Sequence, residues 1–145
     1  MTKTGNTTGS PRVGAYALIG REDRLLVIAQ PDRSVLPGGE VHADEPVEQA
    51  LRRILRCQLG GTIADLDFCA VIEHDAAEPG GPRAFALAFL FDVTLTEPHF
   101  VGKSASHPVR WAHTRNLATL APPTVRNDVI SGLLSSDRPW RGWSP

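Results

Sequence analysis

LPGGEVHADEPVEQALRRILRCQLGG, running from Leu36 to Gly61, decides how the rest of the chain is read, because it joins a pair of glycines to an amphipathic helix. Leu36-Pro37 ends an extended run, and Gly38-Gly39 permit positive φ angles and close backbone approach that a Cβ would oppose. A sharp bend from strand to loop is expected there. Beyond it, Asp44 or Glu45 can cap a helix, Pro46 suits a first turn, and Glu48 follows Glu45 in the manner of a capping box. Val47, Ala50, Leu51, Ile54, Leu55 and Gln58 then recur at helical spacing until Gly60-Gly61. The spacing predicts a helix of about four turns that begins near Pro46.

The intervals between Gly39, Glu45, Arg53 and Gly60 resemble the box of the Nudix hydrolase superfamily, in which Gly is followed after five residues by Glu and after seven more by Arg. In the family that Arg precedes a run with three helix carboxylates. Here the run reads Arg53, Ile54, Leu55, Arg56, Cys57, Gln58, Leu59, Gly60, so the glycine frame and the Glu45/Arg53 pair are kept and all three carboxylates are missing. The resemblance implies metal-assisted attack of water on a diphosphate, for which Mg²⁺ takes hard oxygen ligands. Ile54 offers no ligand atom, Cys57 is a soft thiol, and Gln58 brings one neutral carbonyl oxygen. No metal ligand is therefore assigned and no cofactor is expected, with Mg or Mn reserved for an active hydrolase. Glu45 and Arg53, the two candidate catalytic residues, read better as an ion pair tying loop to helix. A helix-dipole role for Glu45 is an equal alternative.

Outward from this stretch, 145 residues with 41% hydrophobic content and a net charge of -1 describe one globular domain and give no general field for nucleic acid. Residues 1–11 read as a polar arm, 12–134 as the domain and 135–145 as a tail with Trp140 and Trp143. Neither a signal peptide nor a membrane span is legible, so the cytoplasm is the expected location. Cys57 and Cys69 read as reduced, buried thiols.

Along the chain, Arg12–Ile19 and Leu25–Gln30 are read as a hairpin about a turn at Gly20–Arg24. Ile63–Leu66 and Phe68–Glu73 read as two strands, broken at His74-Asp75 before the longest apolar run, Ala84–Leu95. Thr96–His107 reads as loop, Val109–Ala112 as a short strand, Leu117 and Leu120 as part of a short helix, and Val125–Leu134 as a longer one. The fold class expected is α+β: a Nudix-like α/β/α sandwich with a mixed, twisted sheet between helices.

The candidate ligand contacts are Gly38, Gly39, Glu40, Arg53, Ile54, Cys57 and Gln58, with the glycine backbone and Arg53 as anion contacts. Other carboxylates that could rebuild a metal centre are Asp44, Glu48, Glu73, Asp75, Glu78 and Glu97. His42 or His74 could bind a transition metal or shuttle a proton. Three functions follow. The favoured one binds a nucleotide-like or phosphorylated small molecule without ordinary diphosphatase activity. The second is a working hydrolase of a nucleoside diphosphate derivative with relocated ligands. The third is a fold recruited to other chemistry or to protein association, including a homodimer.

Overall fold

A computed structural model of the chain describes residues 11–60, 62–77, 80–96, 108–130, 137 and 139–142. The expectations for residues 1–10, Glu78, Glu97 and the run to His107, and for Leu133, Leu134 and Trp143, lie outside the described residues. In chain order the elements are β1 (Arg12–Leu18), β2 (Gly20–Arg21), β3 (Arg24–Ala29), β4 (Ser34–Val35), β5 (Gly38–Glu40), α1 (Val47–Leu59), β6 (Ile63–Asp75) and β7 (Phe85–Leu95). They continue with β8 (Val109–His113), β9 (Leu120–Ala121), α2 (Pro123–Ile130) and β10 (Trp140–Arg141).

The strands form two sheets, one ordered β10-β6-β7-β1-β5 and one ordered β2-β3-β4-β9 with β8 added to β3. In the first, β1 runs parallel to β7 and antiparallel to β5, so the sheet is mixed. Alternation along β7 explains the layers. Ala88 and Leu90 pack with Leu25 and Val27 of β3 and Val125 of α2. Phe91 and Val93 point the other way, against Leu51, Leu55 and Leu59 of α1. Each fully buried leucine on that stripe contributes about 1.5–3 kcal/mol. Mixed sheets with two helices thus make the α+β sandwich that was expected.

Several local expectations are corrected. β1 and β3 do not form a hairpin, because both edges of β1 are taken, by β5 and β7. The chain instead crosses to the second sheet after Ile19, whose carbonyl accepts the Leu26 N–H at 2.9 Å. The two short strands expected between Ile63 and Glu73 are one strand of 13 residues that continues through His74-Asp75. Bulges between Ile63 and Asp65 and between Phe68 and Ala70 insert residues that spoil the alternation, which is why the sequence looks broken. The helix expected at Leu117 and Leu120 is a 3₁₀ turn, Thr114–Asn116, followed by β9. Both leucines are buried in the same core even so. α2 ends its described span at Ile130, which is exposed.

Trp140, largely exposed, and Arg141 lie in β10, parallel to the edge of β6. Arg141 reaches from there to α2, donating from Nε and Nη2 to the Asp128 carboxylate at 3.2 and 3.3 Å.

Gly38 does not terminate a strand but sits within β5, opposite Tyr16. Its φ of +143° belongs to glycine, and a Cβ there would lie 2.7 Å from Tyr16 Cα and collide with the Ala15 carbonyl. Gly39 is different, since its Cβ would meet Ile54 Cδ1 at an ordinary 3.5 Å. Gly38→Ala is therefore expected to cost about 3 kcal/mol in a urea titration, and Gly39→Ala less than about 1 kcal/mol. Equal costs would contradict this account of β5.

Candidate functional site

The box helix is held at both ends, but not by the cap the sequence suggested. Pro46 is itself the N-cap, with no side-chain capping bond, and its carbonyl accepts the Ala50 N–H at 2.9 Å. Gly60 closes the helix in the left-handed region with φ 70°. Glu45 is turned away from the helix N–H groups. Its carboxylate accepts Arg53 Nη2 at 2.7 Å, Arg53 Nε at 3.2 Å and the His42 N–H at 3.0 Å. The Arg53 hydrogen bonds first, then the His42 N–H, hold the Glu45 carboxyl at about 2, against its ordinary 4.5. Arg53 therefore faces Glu45 bidentately rather than a ligand, and it lines none of the cavities described below.

The other end of the site rests on Gln58. Its Oε1 accepts the Gly38 N–H at 2.9 Å, and its Nε2 donates to the Gly38 carbonyl at 2.9 Å. One side-chain amide thus satisfies both main-chain groups of one glycine, joining α1 to β5. This corrects the expectation that the Gly38 N–H is free for an anion. Ile54 is buried against Gly39. Cys57 is exposed rather than buried, while Cys69 is buried as expected. Gly38, Cys57 and Gln58 come together with Ile28, Gln30, Val35 and Val109 around a hollow of about 390 Å³.

Whether this helix face suits Mg²⁺ follows from its donors. An alkyl group, a thiol and an amide already bonded at both ends do not make a hard oxygen set. Among the described residues no group of three or more His, Cys, Asp or Glu is placed to hold a metal ion. Asp75, one of the carboxylates weighed as a substitute, accepts the Ala77 and Ala84 N–H groups at 2.9 Å and so ties the end of β6 to the start of β7.

Another concavity, of similar size, lies between the sheets. It has a volume of about 360 Å³ and is lined on one side by Arg12, Tyr16 and His74, on another by Gln30, Arg33 and Leu36, and by Pro122, Pro123 and Val125 near α2. A second hollow of about 190 Å³ shares Arg12, Tyr16 and His74 with it and adds Glu40. Of the expected ligand contacts, then, Glu40 faces this region, whereas Gly38, Cys57 and Gln58 face the hollow beside α1. Arg12, Tyr16, Gln30 and Arg33 belong to no motif and were missed. The one signal for them was the lone glycine in RVGAYAL: a Cβ at Gly14 would fall 2.7 Å from the Tyr16 hydroxyl, so the ring lies across that glycine. Burial first and the Glu40 charge second raise the Tyr16 pKa above its ordinary 10.0.

A family model described as NUDIX domain matches residues 10–128. No curated protein matches the chain. Among solved structures, a MutT NUDIX hydrolase from Burkholderia pseudomallei is similar at 25% identity, over 83% of this chain and 96% of that one, with a TM-score of 0.67. A MutT protein from Bacillus halodurans shares the fold at 17% identity over 92% and 91% of the two chains, TM-score 0.70. One from Methanosarcina mazei Go1 does so at 21% identity over 84% and 92%, TM-score 0.66.

Gln58→Glu tests the amide bridge. The introduced carboxylate can accept from the Gly38 N–H but opposes the Gly38 carbonyl, so a loss of about 1–3 kcal/mol at neutral pH is expected, with partial recovery in acid where a protonated carboxyl can donate. Unchanged stability would remove the bridge from the account. Because the Glu45 pKa is depressed, the pair's contribution is complete above pH 4.5 and is lost as pH falls toward about 2. Acid unfolding curves of Glu45→Gln and the parent chain should therefore converge over that window.

Proposed function

Because the chain belongs to the NUDIX domain family, we propose that it uses the Nudix fold to bind a nucleotide-like or phosphorylated small molecule and lacks the ordinary Mg²⁺-dependent diphosphatase reaction. The observation that carries this reading is the Gln58 amide bridge to Gly38 on the helix face where the box would present carboxylates. The bridge fixes the Gln58 amide and takes one lone pair of its oxygen, so the helix face offers at most one neutral carbonyl oxygen to a divalent ion, and Ile54 and Cys57 supply no hard oxygen. Glu45 and Arg53 act as a brace between loop and helix, not as catalytic residues. No step through a metal is drawn from this site.

Ligand binding is supported by the cleft between the sheets. Arg12 and Arg33 bring cationic donors to an apolar wall of Leu36, Leu90 and Val125. A concavity of that size, with two guanidinium groups set beside an apolar wall, suits a small phosphorylated molecule better than a polymer. The expected small-molecule partner and the cytoplasmic location belong to the same proposal. No helix among the described residues is long and apolar enough to cross a membrane.

A panel of nucleoside diphosphate derivatives, with Mg²⁺ or Mn²⁺, tests this reading when phosphate release and melting temperature are followed together. A rise in melting temperature without turnover is expected, since a ligand of the native state stabilises it by mass action. A ligand at 100 times its Kd contributes about 2.7 kcal/mol. Metal-dependent turnover abolished by Glu45→Gln or by a loop carboxylate change would replace the proposal with the hydrolase reading. Silence across the panel would favour recruitment to other chemistry.

A further inference from the structure

We propose that the second sheet carries an anion site at the β2–β3 turn, separate from the cleft, that takes a phosphate monoester whose organic side is flat and apolar. The inference does not depend on what the cleft binds. Arg21 and Arg24 stand directly opposite one another across the turn. Opposed residues of an antiparallel pair project from the same face with Cβ atoms about 4.5–5.5 Å apart, and like charges placed there repel. On its other edge β3 sets Arg24 opposite His113 and Leu26 opposite Trp111. Strand alternation therefore puts Arg21, Arg24 and Trp111 on one face. These three, with Glu22, line a hollow of about 240 Å³. None of them lines either hollow around Arg12, Tyr16 and His74.

The mounting is firm. The Asp23 carboxylate lies 2.6 Å from His113 Nε2, and the Asp23 carbonyl accepts the Thr114 N–H at 3.0 Å, so the turn is tied to the end of β8. The same contact engages the turn's second carboxylate with His113. Among the described residues neither Arg21 nor Arg24 forms an ion pair, and Glu22, although it lines the hollow, is paired with neither.

Two guanidinium groups set side by side without a counter-ion call for a compact anion with several acceptor oxygens. A phosphate monoester near pH 7 carries a charge of about −1.5 to −2 and three such oxygens, enough for both forks at once. A lone carboxylate has two oxygens and a single charge. The indole of Trp111 adds an apolar wall, against which a flat group next to the phosphate gains contact. A nucleic-acid strand is the poorer fit, because Glu22 interrupts the basic surface and the chain's net charge of -1 gives no extended field.

Isothermal titration at fixed ionic strength, without divalent metal, tests the site with phenyl phosphate, inorganic phosphate and phenol. Phenyl phosphate should bind most tightly, inorganic phosphate more weakly and phenol not measurably. Arg21→Gln and Arg24→Gln should each weaken phenyl phosphate at least about fivefold. Glu22→Gln, which removes the one opposing charge, should tighten it, and Arg33→Ala in the cleft should leave it unchanged. Melting temperatures confirm that each variant folds. Absence of phenyl phosphate binding, or binding that survives both arginine changes, would overturn the site. Equal affinity for phenyl and inorganic phosphate would overturn the flat-group preference. Binding lost in Arg33→Ala and kept in Arg21→Gln and Arg24→Gln would place the ligand in the cleft, which upholds the ligand reading above and defeats this one.

Discussion

The site depends on how Gly38 is enclosed. Its φ brings the β5 backbone against Ala15 and Tyr16 on one side, and the Gln58 amide takes up its N–H and carbonyl on the other. β1, β5 and α1 meet at this one residue without a side chain of its own. A hydrogen bond to each main-chain group is worth about 1 kcal/mol net, but leaving either unmet in a half-buried site would cost more. The geometry is therefore stiffer than two hydrogen bonds in water would make it, and the helix face is committed to structure before any ligand arrives.

Glu45 and Arg53 extend the same division. They join the loop before the helix to its middle, partly exposed, where a bidentate pair contributes geometry more than energy. The two hollows that share Arg12, Tyr16 and His74 are lined by no residue of α1.

Much of this was legible in the chain. The helix from Val47 to Leu59, its glycine stop and the apolar run Ala84–Leu95 were read from spacing or composition, because each depends on local periodicity or on a residue type with one strong preference, and the Glu45/Arg53 pair was implied by the resemblance to the Nudix box. What was not legible depended on distant partners. Nothing in Gln58 itself says that its amide meets Gly38, twenty positions away. The bulges in β6 disguised one strand as two, and β1 took neighbours other than the next strand in sequence. Cys57 looked buried because a free cysteine usually is, yet the stripe passes to Leu55 and Leu59 and leaves it outside. The cleft residues were missed because Arg12, Tyr16, Gln30 and Arg33 converge only once two sheets are assembled.

The carboxy-terminal strand has a mechanical corollary. Pro139 accepts the Val71 N–H, and two residues on, the Arg141 guanidinium forks onto Asp128 with both groups largely shielded from solvent. Tension on this end would have to unzip a strand edge and strip an ion pair in the same movement, so load is shared between sheet and helix. For anyone tethering the molecule to a surface or a bead, residues 139–141 are a seam of the fold and not a neutral handle.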